Sequence, residues 1–277
     1  VSVGHSRRTP AKHKLMSSII GREVGAASKN PAIDRHVWKD LCAGDGIPVD
    51  GRGWCEGCSP GIFAYHATHA KKPVDLELYE IKPATYDRLI ESLKLRLPEL
   101  GYENKGDCWQ FRDMVTLRTF NASGSDAGVD DIGRRDAVLI SNDPNAITDW
   151  AMRPTFAAEI EARTPWFRSI STMGCNAAGL KRLSLEERMG WFRLIEQQES
   201  ALPRHRDLLL AAIDGDASQW AYLLNDPVKW RGTQEKVAVS AFARYAYRLE
   251  TAWYGTQRAA YEQMKRRLFL TKTELEW

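Results

Sequence analysis

The stretch "DLCAGDG" (residues 40–46) decides how this chain is read. It follows a short apolar segment, "HVWKDL" (residues 36–41), and sets an acid, small residues and two glycines at a turn. A strand that ends in such a turn and leads into a helix is where doubly wound α/β sheets receive nucleotide-like ligands. Gly44 and Gly46 allow a positive φ and a close backbone approach, because no Cβ intrudes on the ligand. "SPGIFAYHATHA" (residues 59–70) reads as the following helix, with Ser59 as its cap and Pro60 in its first turn.

The pattern repeats downstream. "VDLELYEI" (residues 74–81) alternates as a strand and ends at Glu80, while Tyr86, Leu89, Ile90, Leu93 and Leu97 keep the spacing of one helix face. A third strand edge is expected within "YENKGDCWQF" (residues 102–111), and a buried central strand at "DAVLIS" (residues 136–141), which stops at "NDPN". "WFRSISTMGCN" (residues 166–176) reads as a fifth strand. Ser184 and Glu187 form a capping box opening a helix through Glu199, beyond which the chain turns helical and Trp-rich. Tyr245, Tyr247, Leu249, Thr251 and Trp253 alternate with period two and read as a strand within that region. "NDP" recurs at residues 225–227, where it reads as a turn. The expected fold is α/β, a Rossmann-like sheet with helices on both faces. Three parts are expected: a basic N-terminal arm and helix (residues 1–30), a cofactor-binding catalytic domain (31–180) and a mainly helical extension (181–277) that completes the sheet or contacts substrate.

Composition narrows the function classes. The chain has 277 residues, 43% of them hydrophobic, and a net charge of +3, which only mildly favours an anionic partner. The excess is uneven: Arg7, Arg8, Lys12, Lys14, Arg22 and Lys29 face a single acid, Glu23, within residues 1–30, so this end is a phosphate-contact candidate or simply a solvated terminus. No apolar run is long enough for a membrane span and no signal-like segment opens the sequence, so a cytoplasmic location is expected and no membrane partner. Five cysteines, an odd number, fit a reducing compartment.

A dinucleotide is disfavoured, because the third glycine of G-x-G-x-x-G is missing and a loop separates the turn from its helix. A Walker loop is excluded by the lack of G-K-[ST]. "DLCAGDG" resembles the D-x-x-A-G-x-G first motif of class I S-adenosylmethionine-dependent methyltransferases. "CSPGIFAYHA" and "LYEIKPATYDRL" are similar to segments of the three-Cys-motif partner proteins and of the bacterial adenine-N6 methyltransferase of large-subunit ribosomal RNA. "AKHKLMSSII" loosely resembles the helix that opens the partner proteins. The likeness covers about residues 10–176.

This resemblance implies S-adenosylmethionine as cofactor, with Asp40, Ala43, Gly44 and Gly46 lining its methionine end and Glu80 its ribose. Asp107, with Cys108 beside it, would lie near the adenine amino group. It also implies amino-methyl transfer to DNA or RNA, most specifically to adenine N6, at a [D/N/S]-P-P-[Y/F/W] motif. The counterpart here is Asp143, Pro144 and Asn145, with Asn142 and Trp150 as candidate substrate contacts. Such a motif holds the N–H groups of a weakly nucleophilic exocyclic amine and stacks on an extruded base. The chain departs from it: Asn145 replaces the second proline and Ala146 the aromatic, for which Trp150 is a substitute stacking face. The departure leaves a second reading open, a methyltransferase-fold binding or scaffold protein working with a protein partner. A glycine turn in an α/β domain of other function also stays open.

Two further clusters were weighed. Cys55, Cys58, His66 and His69 form C-x-x-C and H-x-x-H pairs, but the short gap between them argues against a zinc finger, and no metal is expected. Cys42 has no basic neighbour in sequence and reads as a small buried hydrophobe. Trp191, Trp220, Trp230 and Trp253, interleaved with Lys229, Arg231, Lys236, Arg244, Arg248 and Arg258, suit either packing or unpaired bases and phosphates.

Overall fold

A computed structural model describes residues 9–48, 51–143, 154–174, 205–213 and 220–227. In chain order these form α1 (Thr9–Ser28), β1 (Arg35–Asp40), the short α2 (Trp54–Gly57), α3 (Ser59–Thr68), β2 (Val74–Tyr79) and α4 (Pro83–Arg96). There follow β3 (Glu103–Asn104), β4 (Trp109–Phe111), β5 (Val115–Phe120), β6 (Asp136–Asn142), α5 (Pro154–Arg163), β7 (Phe167–Gly174), β8 (His205–Ile213) and β9 (Trp220–Pro227).

All nine strands join one sheet in the order β3-β4-β5-β2-β1-β6-β7-β9-β8. From β5 to β7 the strands are parallel, and β9 inserts antiparallel between β7 and β8. This is a Rossmann-like sheet, carrying a short edge hairpin, β3 and β4, beside β5. Connections from β1 run toward β2 and those from β6 toward β7, so the order reverses between β1 and β6. In open α/β sheets the ligand crevice lies outside the carboxyl ends of the strands at such a point.

Strand alternation explains the layers. Trp38, Leu76, Leu78, Leu139 and Ile170 face α1, α3 and α4 in one cluster with Ile19, Ile20, Ile62, Phe63, Leu89 and Leu93. Val37, Val138 and Ile140, set between those positions, are equally buried on the opposite face. Residues 9–28 are integral to this core: Met16, Ile19, Ile20, Val24 and Ala27 are buried. Glu23 of α1 forms an ion pair with Arg168 of β7, both side chains fully buried.

The segment joining β5 to β6 contains no α-helix. Its only regular piece is a 3₁₀ turn, Gly124–Asp126. It is pinned across the sheet by charge: Lys39 Nζ lies 2.6 Å from Glu77 and 3.3 Å from Asp131, and Arg35 bonds Asp75, Asp136 and the Asp131 carbonyl.

Several expectations need correction. Ser59 is the first helical residue of α3, and Cys58 holds the cap position with extended backbone. Residues 102–111 do hold strand, the edge hairpin of β3 and β4, but the third strand of the parallel core is β5, with Val115 and Leu117 buried. Within 181–277 the described residues are strands: β8 and β9 extend the sheet as a hairpin, and the second "NDP" closes β9 instead of turning. The helix expected through Glu199 and the strand expected near residues 245–253 lie outside the described residues.

Candidate functional site

The glycine turn is stitched to both neighbouring strands. Leu41 N donates to Ser141 O at 2.9 Å and Ala43 N to Tyr79 O at 2.9 Å, so the chain leaves β1 held between the ends of β6 and β2. Gly44 and Gly46 have φ of +69° and +66°. Their surroundings differ. A Cβ on Gly44 would meet no atom within 4 Å, so this glycine faces open space; one on Gly46 would press Leu89 Cδ1 at 3.1 Å and Ser92 Oγ at 3.2 Å.

Three carboxylates stand at the carboxyl ends of the strands beside this turn. Asp40, the last residue of β1, is fully buried; its Oδ1 accepts from Cys42 N at 3.4 Å, and its Oδ2 forms no well-aligned hydrogen bond, although the Ser59 and Ser141 hydroxyls favour the carboxylate. Burial raises its pKa to about 6, and the charge of Asp143 adds to the rise. The Ser59 hydroxyl, the Cys42 amide and the Ser141 hydroxyl oppose it only in part. Burial also pushes the half-buried Cys42 thiol well up, and Asp40, Asp143 and Glu80 all push the same way. Asp40 is the last residue of β1, and Glu80 and Asp143 directly follow β2 and β6, the two strands paired to β1. Glu80 is oriented by its own strand and helix: its amide donates to Phe120 O at 3.1 Å, and its Oε1 accepts from Lys82 N at 2.8 Å, where α4 is about to begin.

Asn142 is fully buried as the last residue of β6. Its Oδ1 faces the Cys42 thiol at 3.8 Å, and its Nδ2 has no partner. The fold thus brings together Asp40, Ala43, Gly44, Gly46, Glu80, Asn142 and Asp143. Pro144, Asn145 and Trp150 lie outside the described residues.

Asp107 and Cys108 are not in this group. They lie in the turn between β3 and β4, on the sheet edge, because the strand taken to carry them is the hairpin and not β5. The segment that does follow β5 turns back onto the glycine turn: Gly124 is buried, and any Cβ there would collide with Leu41 O. Asp126, in the 3₁₀ turn with Gly124, is the first of three acids in that segment, ahead of Asp130 and Asp131. Two further residues were missed, Ile47 and Ile81, large apolar side chains that are 44% and 61% exposed and directly follow Gly46 and Glu80. Apolar exposure beside a polar turn was the available signal.

The cysteine and histidine quartet is occupied in separate ways. His66 Nε2 shares a 2.8 Å hydrogen bond with Ser17 Oγ on α1, His69 Nδ1 lies 2.9 Å from Tyr65 O, and the Cys58 thiol faces Trp54 O at 3.4 Å. Among the described residues no group of three or more potential ligands could hold a metal ion. Among them, too, no helix is long and apolar enough to cross a membrane.

No protein-family model and no curated protein matches the sequence. Solved structures do. Protein LPL1258 from Legionella pneumophila str. Philadelphia 1 superposes with a TM-score of 0.50 at 11% identity, over 84% of this chain and 92% of its own. An rRNA methylase from Streptococcus thermophilus gives 0.40 at 9% identity, over 76% and 94%. SMU.1697c from Streptococcus mutans, solved in complex with SAH, gives 0.38 at 9% identity, over 80% and 99%. The first likeness is one of fold, and the other two superpose too loosely to bear on function.

Proposed function

We propose that this chain is an S-adenosylmethionine-dependent methyltransferase that acts on nucleic acid, at adenine N6 of DNA or RNA. The observation that carries the reading is the fully buried Asp40 carboxyl group, with Glu80 and Asp143 at the ends of the neighbouring strands, at a glycine turn that opens at Gly44. Three acids at one crevice suit a ligand bearing positive charge. S-Adenosylmethionine carries both an ammonium and a sulfonium.

In this reading Asp40 holds the ammonium, Ala43, Gly44 and Gly46 line the methionine arm, and Glu80 accepts from the ribose hydroxyls. Asp126 takes over the adenine-side role first assigned to Asp107 and Cys108, and Ile47 and Ile81 flank the base. The bound cofactor supplies an already activated methyl group, so no metal is required. Asp143 accepts a hydrogen bond from the acceptor amine and so keeps its lone pair aimed at the methyl group. Asn142 supports that site from the end of β6. Pro144, Asn145 and Trp150 belong to the same substrate side by their position in sequence.

Calorimetry with S-adenosylmethionine and labelled-methyl transfer onto DNA, RNA and protein test the reading. Wild type is expected to bind the cofactor and label nucleic acid, and Asp143→Ala to keep binding while transfer falls at least about a hundredfold. Transfer unaffected by that substitution removes Asp143 from the mechanism. The substitution of the proline and aromatic at Asn145 and Ala146 favours a second reading, a binding or scaffold protein acting with a protein partner. Cofactor binding without transfer to any polymer would select it.

A further inference from the structure

The Gly46 carbonyl accepts two hydrogen bonds, from Trp54 Nε1 at 2.9 Å and from Ser92 Oγ at 2.7 Å. Trp54 is buried and opens α2, whereas Ser92 sits on α4, so two elements grip one peptide from different sides. The next amide is held as well: Ile47 N donates to Asp45 Oδ1 at 3.1 Å, and Arg88 Nε of α4 lies 3.5 Å from Asp45 Oδ2. Trp54 is itself wedged. Its carbonyl faces the Cys58 thiol and abuts Gly61 of α3, where any Cβ would collide with it.

A glycine turn needs such a grip. Because glycine populates positive and negative φ alike, the peptides around Gly44 and Gly46 can reverse at small cost, exchanging a carbonyl for an N–H on the cleft side. Occupying both lone pairs of the Gly46 carbonyl fixes one orientation. Helix α4 then ties that orientation to Glu80, whose carboxylate receives the Lys82 amide just before the helix starts. Trp54 and Ser92 therefore set the separation between the turn and the ribose-side acid.

We infer that Trp54 and Ser92 are positioning residues for the methionine arm of the cofactor, acting through the Gly46 peptide. This rests on the cofactor reading above. The test measures binding of S-adenosylmethionine and of 5′-methylthioadenosine, which lacks the amino-acid arm, to wild type, Trp54→Phe, Ser92→Ala and Ser92→Thr. Trp54→Phe and Ser92→Ala are each expected to weaken S-adenosylmethionine about three- to tenfold. Methylthioadenosine should change less than about twofold, and Ser92→Thr, which keeps the hydroxyl, should restore the affinity.

A general loosening of the fold would weaken both ligands together. Equal losses for the two ligands, or no loss from Ser92→Ala in a wild type that binds, overturn the positioning role and leave the cofactor reading standing. A wild type that binds neither ligand overturns both.

Discussion

Asp40 joins a folding cost to the proposed binding role in one carboxyl group. Its pKa stands at about 6 in the folded chain against 3.8 for the unperturbed group, chiefly because burial penalises the charge. Below pH 4 both states are protonated and the residue is neutral to stability. As pH rises through that window the unfolded chain ionises first, so stability falls, by about 2–3 kcal/mol once pH 6 is passed. Asp40→Asn removes this pH dependence, and the stability difference from wild type should therefore move by about 2–3 kcal/mol in favour of the variant between pH 4 and pH 8. Denaturant titrations at both pH values measure it, and a difference independent of pH would deny the buried charge. A cationic ligand reverses the penalty. Wild-type affinity for S-adenosylmethionine should accordingly drop about tenfold per unit below pH 6, a slope that Asp40→Asn lacks at reduced overall affinity.

Between elements, the buried pairing of Glu23 with Arg168 locks α1 onto β7, two segments far apart in sequence. Neither charge reaches water, so removing one member takes away a buried charge that compensates the other. Glu23→Gln should cost about 3–5 kcal/mol, and replacing both residues, Glu23→Leu with Arg168→Met, should recover most of it. Urea titration of the single and double variants decides this; a single variant within about 1 kcal/mol of wild type contradicts the lock.

This pair also marks what the sequence could and could not yield. β1, β2, β6 and β7 were legible because each is a short apolar run or a strict alternation bounded by turn residues. The structure sets Asp40 and Glu80 where two of those runs end, with Gly44 and Gly46 in the turn that follows β1. Glu23 was counted as one acid in a basic arm, since nothing local announces an arginine 145 residues away. β5 was displaced onto the edge hairpin because Trp109 and Phe111 are the more conspicuous aromatic residues, although "VTLRTF" alternates correctly, with Val115 and Leu117 inward and Arg118 exposed. That one error carried Asp107 and Cys108 to the sheet edge. β8 and β9 were passed over because "LLLAAI" and "WAYLL" are uniform apolar runs, which periodicity alone does not assign to strand or helix.

At the scale of the whole molecule, β8 and β9 finish the sheet. β9 pairs with β7 from Ser169↔Asn225 to Gly174↔Trp220, on the side of β7 away from β6. Without that hairpin, β7 would present a row of unpaired backbone amides and carbonyls at an edge, a template for another chain. The glycine turn would not be touched, because among the described residues β1, β2 and β6 pair only with one another, β5 and β7. A variant ending at residue 204 is therefore expected to self-associate, with light scattering after size exclusion showing dimers and larger species where the intact chain gives a smaller one. Its folded fraction should retain S-adenosylmethionine binding within about tenfold, since the turn, Asp40 and Glu80 remain in place. A truncated chain that matches the intact one in both mass distribution and thermal midpoint would mean that β7 does not depend on β9, and that the sheet is complete at β7.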